Sequence, residues 1–565
     1  MMSSIEIKIA DQTDREEIYK VRHDVYAKEL HQHQENQSKL LKDDMDNYNT
    51  YIVVKMDGNI SGFVSITPPN GKYGLDKYID RDKYPFIYDN MFEGRLFTVL
   101  PQYRNGCTAL LLFFAAFRFA EANNGDKIMT IGRIDLVEFY EKTGLIDLGE
   151  TIHSGAVDFK LMYSKISDLR KNCTRLENVL QRYLPKIDNL LPFSLIKEKR
   201  CYHGGHFFNA IGDDFTTIEK CNEIINADVL DAWFDPSPKV INAIQEYLPW
   251  IIKTSPPTHS EGLIKTISQI RDIPVQSILT GGGSSDLMYL ALPNLLKRPA
   301  KVLLLNPTYG EYNFIFENLI HAQIDRFYLL KEDSFQINVE RLIQTLHQNK
   351  YDMFVIVNPN NPSGQYLTPE QMKEIIKAIP KSTYIWIDET YIEYVDSSYS
   401  MEQISVNTEN VIVCKSMSKV YALSGVRCAY LVSNSKTIEF LSQFSPPWAV
   451  SLPAQIAGVN ALKDSEYYKK CYQQTRKSKQ QLVNNLIQNK DVKIIQGSIN
   501  SILCEFPLST DVDKIVKQCI EKNLFIRNVS NMGINLNYHG VRIAVKDEQI
   551  NLKIAEIFKE VYGQL

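Results

Sequence analysis

A lysine at position 419 stands just after two small hydroxyl residues and eight positions before an arginine. The stretch runs Ser-Met-Ser-Lys-Val-Tyr-Ala-Leu-Ser-Gly-Val-Arg from Ser416 to Arg427. A lysine amine can hold an aldehyde as a Schiff base, and a hydroxyl and a guanidinium can together bind a phosphate. A lysine in a serine-rich loop is usually solvated, so the meaning of this stretch depends on the segments upstream.

Three upstream segments supply complementary groups. The glycine-rich turn Thr280–Asp286 opens an apolar helical stretch, where backbone N–H groups and the helix dipole favour a phosphate. The apolar run Met353–Val357 leads into Asn-Pro-Asn-Asn-Pro-Ser-Gly, and Thr383–Ile387 leads into Asp-Glu-Thr-Tyr. Both runs are typical of buried strands that end in polar loops. This order of motifs indicates a site for pyridoxal 5′-phosphate (PLP).

On these motifs, residues 225–565 resemble the fold-type I PLP-dependent enzymes, specifically the histidinol-phosphate aminotransferase family. The resemblance implies that Lys419 forms the Schiff base, that Asp388 faces the pyridine nitrogen, and that Tyr391 bonds the phenolic oxygen. These three residues are the implied catalytic set. The implied cofactor-binding residues are Ser284, Ser285, Tyr309, Asn361, Asp388, Tyr391, Ser416, Lys419 and Arg427. Of these, Tyr309, in the motif Asn306–Tyr312, is implied to stack on the ring, and Ser284, Ser285, Ser416 and Arg427 are implied to bind the phosphate. In the same way, Arg542 is implied to hold a substrate α-carboxylate.

The chemistry explains these residue types independently of the resemblance. A carboxylate beside the ring nitrogen keeps that nitrogen protonated, so that the ring can accept an electron pair from a broken α bond. Once a substrate amine has displaced it, the lysine is placed to move a proton. An arginine suits a planar carboxylate because its fork donates two parallel charge-assisted hydrogen bonds.

Two segments depart from the family pattern. Residues 230–238 read Leu-Asp-Ala-Trp-Phe-Asp-Pro-Ser-Pro where the family often has Asn-Glu-Asn-Pro, and residues 254–260 replace its Tyr-x-Asp-Pro. Both segments border the substrate pocket in the family, so the resemblance does not extend to the substrate. The leading prediction is transfer of an amino group between an amino acid and an oxo-acid or aldehyde partner. The alternative is decarboxylation, because threonine-phosphate decarboxylases resemble this family closely.

The first 165 residues predict a second unit. An alternating strand at 5–9, a helix at 14–30 and a hairpin over 51–67 precede a strand, turn and long apolar helix at 93–112. This order, with Arg22 and Glu93-x-Arg95, resembles the GNAT acyltransferase superfamily and its acyl-homoserine lactone synthase branch. The implied acyl site, for acyl-CoA or acyl carrier protein, comprises Arg104, Gly106 and Tyr140. The alternative is a non-catalytic binding or dimerisation module.

Between the two units, residues 166–224 are predicted to form a linker helix and a connecting segment. A polar helix is expected over 164–184, ended by Pro185. Cys201, His203, His206 and Cys221 follow, but their spacing matches no standard zinc site, and we predict no metal. The predicted fold is therefore α/β: a GNAT-like mixed-sheet domain fused to a fold-type I domain with a large, mostly parallel sheet and a small C-terminal α+β part.

The composition indicates which classes of binding partner and which cellular surroundings to expect for this protein. The formal net charge of −4 and the pI near 6.3 give no signature of nucleic-acid binding. No stretch approaches the length of apolar sequence that a membrane span needs, and the N-terminal residues lack a signal-peptide pattern. The nine cysteines form no disulfide-like framework. We expect a cytoplasmic homodimer, associated through the PLP domain, that acts on small molecules.

Overall fold

The chain divides into two compact units, Met1–Glu198 and Lys199–Leu565. The computed structural model describes residues 5–563 except 70–71, 81–82, 85–89, 105, 124, 185–186, 192, 194, 197–203, 213, 487–491, 508–509, 511, 530–531 and 533–539. The division between the units falls inside the segment 166–224 that the sequence predicts as a connection. Residues 166–196 belong to the first unit, because Ile166, Leu169 and Cys173 lie in its core.

The first unit is built on an eight-stranded sheet in the order β6-β7-β5-β4-β3-β2-β1-β8. Its strands are β1 (Ile5–Ile9), β2 (Thr50–Met56), β3 (Asn59–Thr67), β4 (Met91–Val99), β5 (Lys127–Arg133), β6 (Ile146–Ser154), β7 (Val157–Lys165) and β8 (Ile187–Asn189). Its helices are α1 (Gln12–Arg22), α2 (Thr108–Ala122), α3 (Val137–Thr143), α4 (Ile166–Asn172) and α5 (Thr174–Leu180). β4 and β5 are parallel, whereas β1 to β4 pair antiparallel in sequence order.

Local sequence accounts for most of these elements. The β2–β3 hairpin turns at Asp57 and Gly58, which both have positive φ, as a tight two-residue turn requires. α1 begins at a capping box between Asp11 and Asp14, and a π-helical segment, His23–Glu29, continues it. The helix predicted over 164–184 is wrong at its start, because β7 runs to Lys165 and pairs with β5. Two helices follow, and Pro185 lies outside the described residues.

The second unit contains a seven-stranded sheet in the order β10-β16-β15-β14-β13-β11-β12. Its strands are β10 (Ile278–Gly281), β11 (Lys301–Asn306), β12 (Gln323–Tyr328), β13 (Met353–Val357), β14 (Tyr384–Asp388), β15 (Val411–Ser416) and β16 (Ala429–Val432). The five strands from β12 to β15 in this order are parallel, and β16 is antiparallel to both of its neighbours. The carboxyl ends of the parallel strands therefore share one edge.

A five-stranded sheet, in the order β17-β18-β20-β19-β9, completes the second unit. Its strands are β9 (Ile225–Ala227), β17 (Lys493–Ile495), β18 (Ser501–Glu505), β19 (Leu524–Asn528) and β20 (Gly540–Ala544). β9 is parallel to β19, although some 300 residues separate them in the chain, as their register shows. This pairing brings the segment after β9 close to β20, which carries Arg542.

Helices surround both sheets of the second unit. They are α6 (Phe207–Ile211), α7 (Pro238–Lys253), α8 (Glu261–Arg271), α9 (Ser284–Leu295), α10 (Gly310–Phe314), α11 (Val339–Gln348), α12 (Pro369–Ala378), α13 (Ile392–Val395), α14 (Glu402–Val406), α15 (Met417–Val420), α16 (Ser435–Ser442), α17 (Leu452–Leu462), α18 (Ser465–Leu486), α19 (Val512–Glu521) and α20 (Glu548–Gly563). α12 begins at the predicted capping box of Thr368 and Gln371. In the part of the chain that the structure describes, no helix has the length and apolar character to span a bilayer.

Candidate active site

The predicted site residues of the second unit gather at the carboxyl ends of its strands. Asp388 is the last residue of β14, Asn361 follows β13 and Lys419 follows β15. Ser284 begins α9 directly after the β10 turn. Open α/β sheets bind ligands at this edge, because side chains from several strands converge there.

Asp388 is buried, and each of its carboxylate oxygens accepts hydrogen bonds. Oδ2 accepts from the Tyr312 hydroxyl at 2.8 Å. Oδ1 accepts from the Thr390 hydroxyl at 2.6 Å and from the Thr390 backbone N–H at 3.0 Å. Burial raises the pKa of Asp388, and the hydrogen bonds from Thr390 and Tyr312 oppose that rise. The carboxylate is thus fixed in orientation, as a group that must face one ring nitrogen should be.

Tyr312 is a site residue that sequence reasoning missed. Its hydroxyl accepts a hydrogen bond from Trp386 Nε1 at 2.8 Å while donating to Asp388. The predicted ring-stacking residue Tyr309 is half-buried and meets Tyr312 edge-on, with centroids 6.1 Å apart. Both tyrosines belong to the motif at residues 306–312, so the sequence indicated the correct segment. The spacing of the motif alone did not show which tyrosine reaches the Asp388 carboxylate.

Arg542, Asn361 and Tyr391 form a connected polar cluster. Arg542 Nη1 donates to Asn361 Oδ1 at 2.7 Å, and Nη2 donates to the carbonyl oxygen of Asp228 at 2.7 Å. Asn361 also hydrogen-bonds the Tyr391 side chain. Burial lowers the pKa of Arg542 to about 10. Arg542 Nε has no hydrogen-bond partner among the described residues, which leaves a buried cationic donor for a ligand anion.

The predicted phosphate-binding residues lie around the glycine-rich turn. Gly283 has a φ of 111°, and a Cβ atom there would overlap the guanidinium of Arg427. Ser284 and Ser285 occupy the first turn of α9, and Ser285 Oγ donates to Glu311 Oε2 at 2.7 Å. Ser416 Oγ accepts from the backbone N–H of Ser418 at 3.3 Å. Backbone N–H groups, hydroxyls and a guanidinium at the start of α9, with a further hydroxyl from Ser416 at the start of α15, fit the phosphate of PLP.

Lys419 forms an ion pair that sequence reasoning did not identify. Its Nζ lies 2.7 Å from Asp231 Oδ1 and 3.5 Å from Ser424 Oγ. Asp231 is in the segment 230–238 that departs from the family pattern, so the departure itself was the available signal. The contact joins residues 188 positions apart. Tyr391 lies within electrostatic reach of Asp231, Asp388 and Arg542, so these groups surround one place.

The three residues predicted to form the acyl site of the first unit differ in exposure and in the contacts that they make. The Arg104 guanidinium is exposed and forms a 2.7 Å ion pair with Glu29. Gly106 lies just before α2, and its backbone N–H donates to the carbonyl of Tyr103. Tyr140 is buried, and its ring contacts Phe97 of β4 and lies where a side chain on Gly132 of β5 would be. Burial raises the pKa of Tyr140.

Groups of three or more His, Cys, Asp or Glu side chains placed to hold a metal ion are absent from the described residues. Cys201 and His203, considered above as ligands, lie outside those residues.

A lysine, a buried carboxylate and a phosphate-binding turn at the edge of a mostly parallel sheet define a PLP-dependent enzyme of fold-type I. The family model for aminotransferase class I and II matches residues 226–557, more than half of the chain. The chain belongs to this family.

Curated relatives agree with this assignment. Histidinol-phosphate aminotransferase from Methanococcus aeolicus is 24% identical over 381 residues, covering 66% of this chain and 99% of that protein. The enzyme of the same name from Methanocaldococcus jannaschii is 26% identical over 340 residues, covering 60% of this chain and 90% of that protein.

Solved structures share the fold. Histidinol-phosphate aminotransferase from Clostridium acetobutylicum has a TM-score of 0.54 at 24% identity, with 61% of this chain and 99% of that one covered. The enzyme from Sinorhizobium meliloti, in complex with PLP, has a TM-score of 0.56 at 18% identity, with coverages of 65% and 99%. L-threonine-O-3-phosphate decarboxylase from Porphyromonas gingivalis has a TM-score of 0.53 at 18% identity, with coverages of 60% and 100%.

Proposed function

We propose that the second unit is a PLP-dependent aminotransferase that acts on an amino donor bearing a carboxylate. The observation that carries the proposal is the series of contacts from Arg542 through Asn361 to Tyr391, which lies near both Asp388 and the Asp231–Lys419 pair. When bound, PLP supplies an electron sink for the bond that breaks at the substrate α carbon.

Each residue then has a defined task. Lys419 provides the amine that links to the cofactor aldehyde and, when free, carries a proton to or from the α carbon. Asp388 holds the protonated ring nitrogen through a carboxylate fixed by Tyr312 and Thr390. Arg542 binds the substrate carboxylate with its buried fork and so decides which α bond is aligned for cleavage. Arg427 and the serines of the turn hold the phosphate.

Decarboxylation is the second candidate for this unit. The Porphyromonas gingivalis structure is named as a threonine-phosphate decarboxylase, and the same fold serves both reactions. The two reactions differ in the α bond that the site aligns with the ring. If Arg542 keeps the carboxylate near the plane of the ring, the Cα–H bond is aligned and transamination follows. If the carboxylate is turned out of that plane, carbon dioxide is lost instead.

Product analysis separates the two reactions. The PLP-loaded enzyme is incubated with a panel of amino acids and phosphorylated amino acids, without an amino acceptor. We expect one oxo product per cofactor and no carbon dioxide. Lys419→Ala serves as the inactive control and Lys436→Ala, an exposed lysine, as the matched active control. Release of carbon dioxide with repeated turnover would replace the aminotransferase by the decarboxylase.

We also propose that the first unit is an acyltransferase that uses an acyl thioester of coenzyme A or of a carrier protein. β4 and β5 pair only from Met91 to Gly94 and from Lys127 to Thr130, although both strands continue further. Tyr140 contacts β4 and β5 beyond the point where their pairing ends. We propose that an extended ligand binds where these two strands separate and that the Tyr140 hydroxyl protonates a leaving thiolate there.

A charged cluster around β4, which carries Glu93 and Arg95, supports acceptor binding. Arg22 forms a 2.8 Å ion pair with Asp46, and Asp43 lies 3.1 Å from Arg22 and 2.9 Å from Arg95. Glu93 accepts hydrogen bonds from two backbone N–H groups, and burial raises its pKa to about 7. Buried carboxylates and guanidiniums of this kind can bind an acceptor that carries both an amine and a carboxylate.

Calorimetry tests the acyltransferase. Titration of the full chain with acyl-CoA should give saturable binding, and transfer to an amine should release free thiol. Tyr140→Phe keeps the ring packing but removes the hydroxyl, so it should bind normally and transfer slowly. Absence of binding by both acyl-CoA and acyl carrier protein would leave the first unit as a non-catalytic module.

A further inference from the structure

Lys419 lies on a very short helix whose end is held by groups from outside the helix. α15 is only four residues long, and the last carbonyl groups of a helix have no partner within it. The Ser418 carbonyl accepts from the Leu423 N–H at 3.0 Å and from the Ser424 hydroxyl at 3.2 Å. The carbonyls of Lys419 and Val420 instead accept from side chains of two other helices.

Two buried tyrosines supply these hydrogen bonds. The Tyr394 hydroxyl, on α13, donates to the Lys419 carbonyl at 3.1 Å. The Tyr472 hydroxyl, on α18, donates to the Val420 carbonyl at 2.8 Å. The two tyrosines are 2% and 7% exposed, and their rings meet edge-on with centroids 5.1 Å apart. Burial raises the pKa of both hydroxyls, so both remain protonated donors.

The tyrosine pair is itself held by one side of α18. Tyr472, Thr475 and Arg476 are three and four positions apart, so their side chains leave the helix on the same side. Thr475 Oγ1 accepts from Trp233 Nε1 at 2.8 Å, in the segment that departs from the family pattern. Arg476 Nη1 donates to the Tyr394 carbonyl at 3.1 Å. α18 therefore fixes both the helix that carries Lys419 and the helix that carries Tyr394.

We propose that Tyr394 and Tyr472 are positioning residues that hold the backbone of α15 so that the Lys419 amine reaches the bound cofactor, a role that rests on the function proposed for Lys419 above. The lysine side chain is a flexible four-carbon stem of fixed reach. A shift of its backbone therefore moves the whole range of positions that the nitrogen can occupy. Reacting atoms must lie about 3–3.5 Å apart, and a misplacement of about 1 Å can lower a rate about a hundredfold.

The first test measures the linkage of Lys419 to PLP. Tyr394→Phe, Tyr472→Phe and the double variant keep both rings and remove the hydroxyls. The PLP-free full chain is mixed with excess PLP, and the visible absorbance follows linkage, in which the lysine nitrogen bonds to the aldehyde carbon and the aldehyde oxygen leaves as water. Each single variant should link PLP about tenfold more slowly than the wild type, and the double variant about a hundredfold more slowly.

A cofactor form that cannot link to the lysine separates positioning from binding. Pyridoxamine 5′-phosphate carries an amine in place of the aldehyde, so its affinity reports only the contacts to the ring and the phosphate. All three variants should bind it as tightly as the wild type does. In turnover, kcat should fall while the Michaelis constant of the donor stays within about twofold, since Arg542 keeps its contacts.

Tyr468→Phe is the matched control. Tyr468 is a buried tyrosine one turn before Tyr472 on α18, and its hydroxyl accepts from the Ser237 N–H at 3.0 Å. This variant loses a buried hydroxyl of the same helix, so its unfolding temperature should fall about as much as that of Tyr472→Phe. Its linkage rate and kcat should equal those of the wild type.

Hydrogen exchange gives a readout that needs no cofactor. The Leu423 N–H donates to the Ser418 carbonyl, so its protection from exchange reports whether the end of α15 is held in place. In the PLP-free protein, this protection should fall in Tyr394→Phe and in Tyr472→Phe. It should stay at the wild-type level in Tyr468→Phe.

The outcomes separate this role from the proposed function. A wild-type protein that links no PLP at Lys419, judged against Lys419→Ala, would overturn the proposed function itself. Normal linkage by the wild type, with linkage and exchange unchanged in the double variant, would overturn only the role of the two tyrosines. Equal slowing in Tyr468→Phe, or a matching loss of affinity for pyridoxamine 5′-phosphate, would also overturn that role. If the double variant fails to fold, the two single variants decide by the same measurements.

Discussion

At the residue scale, the site depends on charges that are buried and individually fixed. The carboxylate of Asp388 accepts three hydrogen bonds, and the guanidinium of Arg542 makes two. Buried groups of this kind lose little freedom on ligand binding, because neighbouring side chains already hold them in place. Changing either group should therefore affect the chemistry more than the fold.

Asp388→Asn removes the charge that is proposed to face the ring nitrogen. The hydrogen bonds from Tyr312 and Thr390 can still be accepted in part, so the variant should fold and retain PLP through its phosphate. Turnover should fall by at least about a hundredfold, the usual loss when one fixed electrostatic group is removed. Steady-state kinetics and the visible spectrum measure the two effects, and Asp396→Asn, an exposed carboxylate, is the control. Turnover within a few-fold of wild type would remove Asp388 from this role.

Arg542→Ala should weaken the binding of a carboxylate-bearing donor. Loss of one partner of a buried ion pair costs about 3–5 kcal/mol, which corresponds to at least a hundredfold rise in the Michaelis constant. Arg542→Lys keeps a cation but loses the planar fork, so its loss should be smaller. An amine donor without a carboxylate should be nearly unaffected by either change. An equal loss for both donors would mean that Arg542 supports the pocket rather than the carboxylate.

At the element scale, turns that join strands to helices position the groups of the candidate phosphate site. Gly283 precedes α9 with a φ of 111°, a conformation that residues with a side chain rarely adopt, and it packs against Arg427. Arg427 itself has a φ of 62°. Because Gly283 has no side chain, the guanidinium of Arg427 can lie against it just before the first turn of α9, where the phosphate is expected.

Gly283→Ala should loosen the phosphate end of the site. A Cβ atom at position 283 would overlap the Arg427 guanidinium and displace it, so PLP affinity should fall by about tenfold or more, since a hydrogen bond to a charged group contributes about 1.5–3 kcal/mol. The positive φ should in addition lower the free energy of unfolding by about 1–3 kcal/mol. Gly262→Ala, in open space on α8, is the matched control and should bind PLP as tightly as wild type. Spectroscopic titration of the cofactor-free protein measures both, and equal affinities would contradict the assigned phosphate position.

Some elements of the second unit could be predicted from the sequence and others could not, and the difference has physical reasons. β11, β13, β14 and β15 are buried on both faces and read as unbroken apolar runs, so their existence and order were predictable. β12 lies at an edge of the sheet, and its alternating polar residues hid it. Motif residues were likewise predictable, whereas Asp231 and Tyr312 act through contacts with residues 188 and 76 positions away, which local patterns do not encode.

At the scale of the whole molecule, buried ionic groups make stability depend on pH. Glu389, beneath the site, contacts Lys415 at 3.4 Å and accepts a hydrogen bond from the Met401 N–H. Burial raises the pKa of Glu389 to about 7, with Lys415 opposing, from an ordinary value of 4.5. Between these two values the folded chain binds more protons at Glu389 than the unfolded chain does, so this group makes stability fall as pH rises.

Glu389→Gln should remove that dependence. The unfolding temperature of the wild type minus that of the variant should fall as pH increases from about 4.5 to about 7. Above that range this difference should stay constant. Thermal unfolding of the two proteins in parallel at each pH gives the difference directly and cancels the contributions of groups that do not interact with Glu389. A difference that grows in favour of the wild type across this range would mean that Glu389 is ionised throughout.

Exposed apolar side chains of the second unit bear on whether the chain associates with a second copy of itself. Aminotransferases of this family are typically dimeric. The second unit exposes a set of large apolar side chains on α7 and in the loop before α17, namely Tyr247, Trp250, Ile252 and Trp448. Ile252 is 74% exposed, and monomeric proteins rarely leave such side chains grouped on their surface. A second copy of the chain is the partner that family membership supports.

We therefore expect a homodimer that this helix stabilises. Trp250→Glu combined with Ile252→Lys should lower the mass measured by light scattering to that of one chain, because burying two unpaired charges opposes association. Ile146→Lys, at an exposed apolar position of the first unit, is the matched control and should leave the mass unchanged. A dimer that persists in the double variant would place the interface elsewhere. A wild-type protein that stays monomeric at every concentration would contradict the dimer itself.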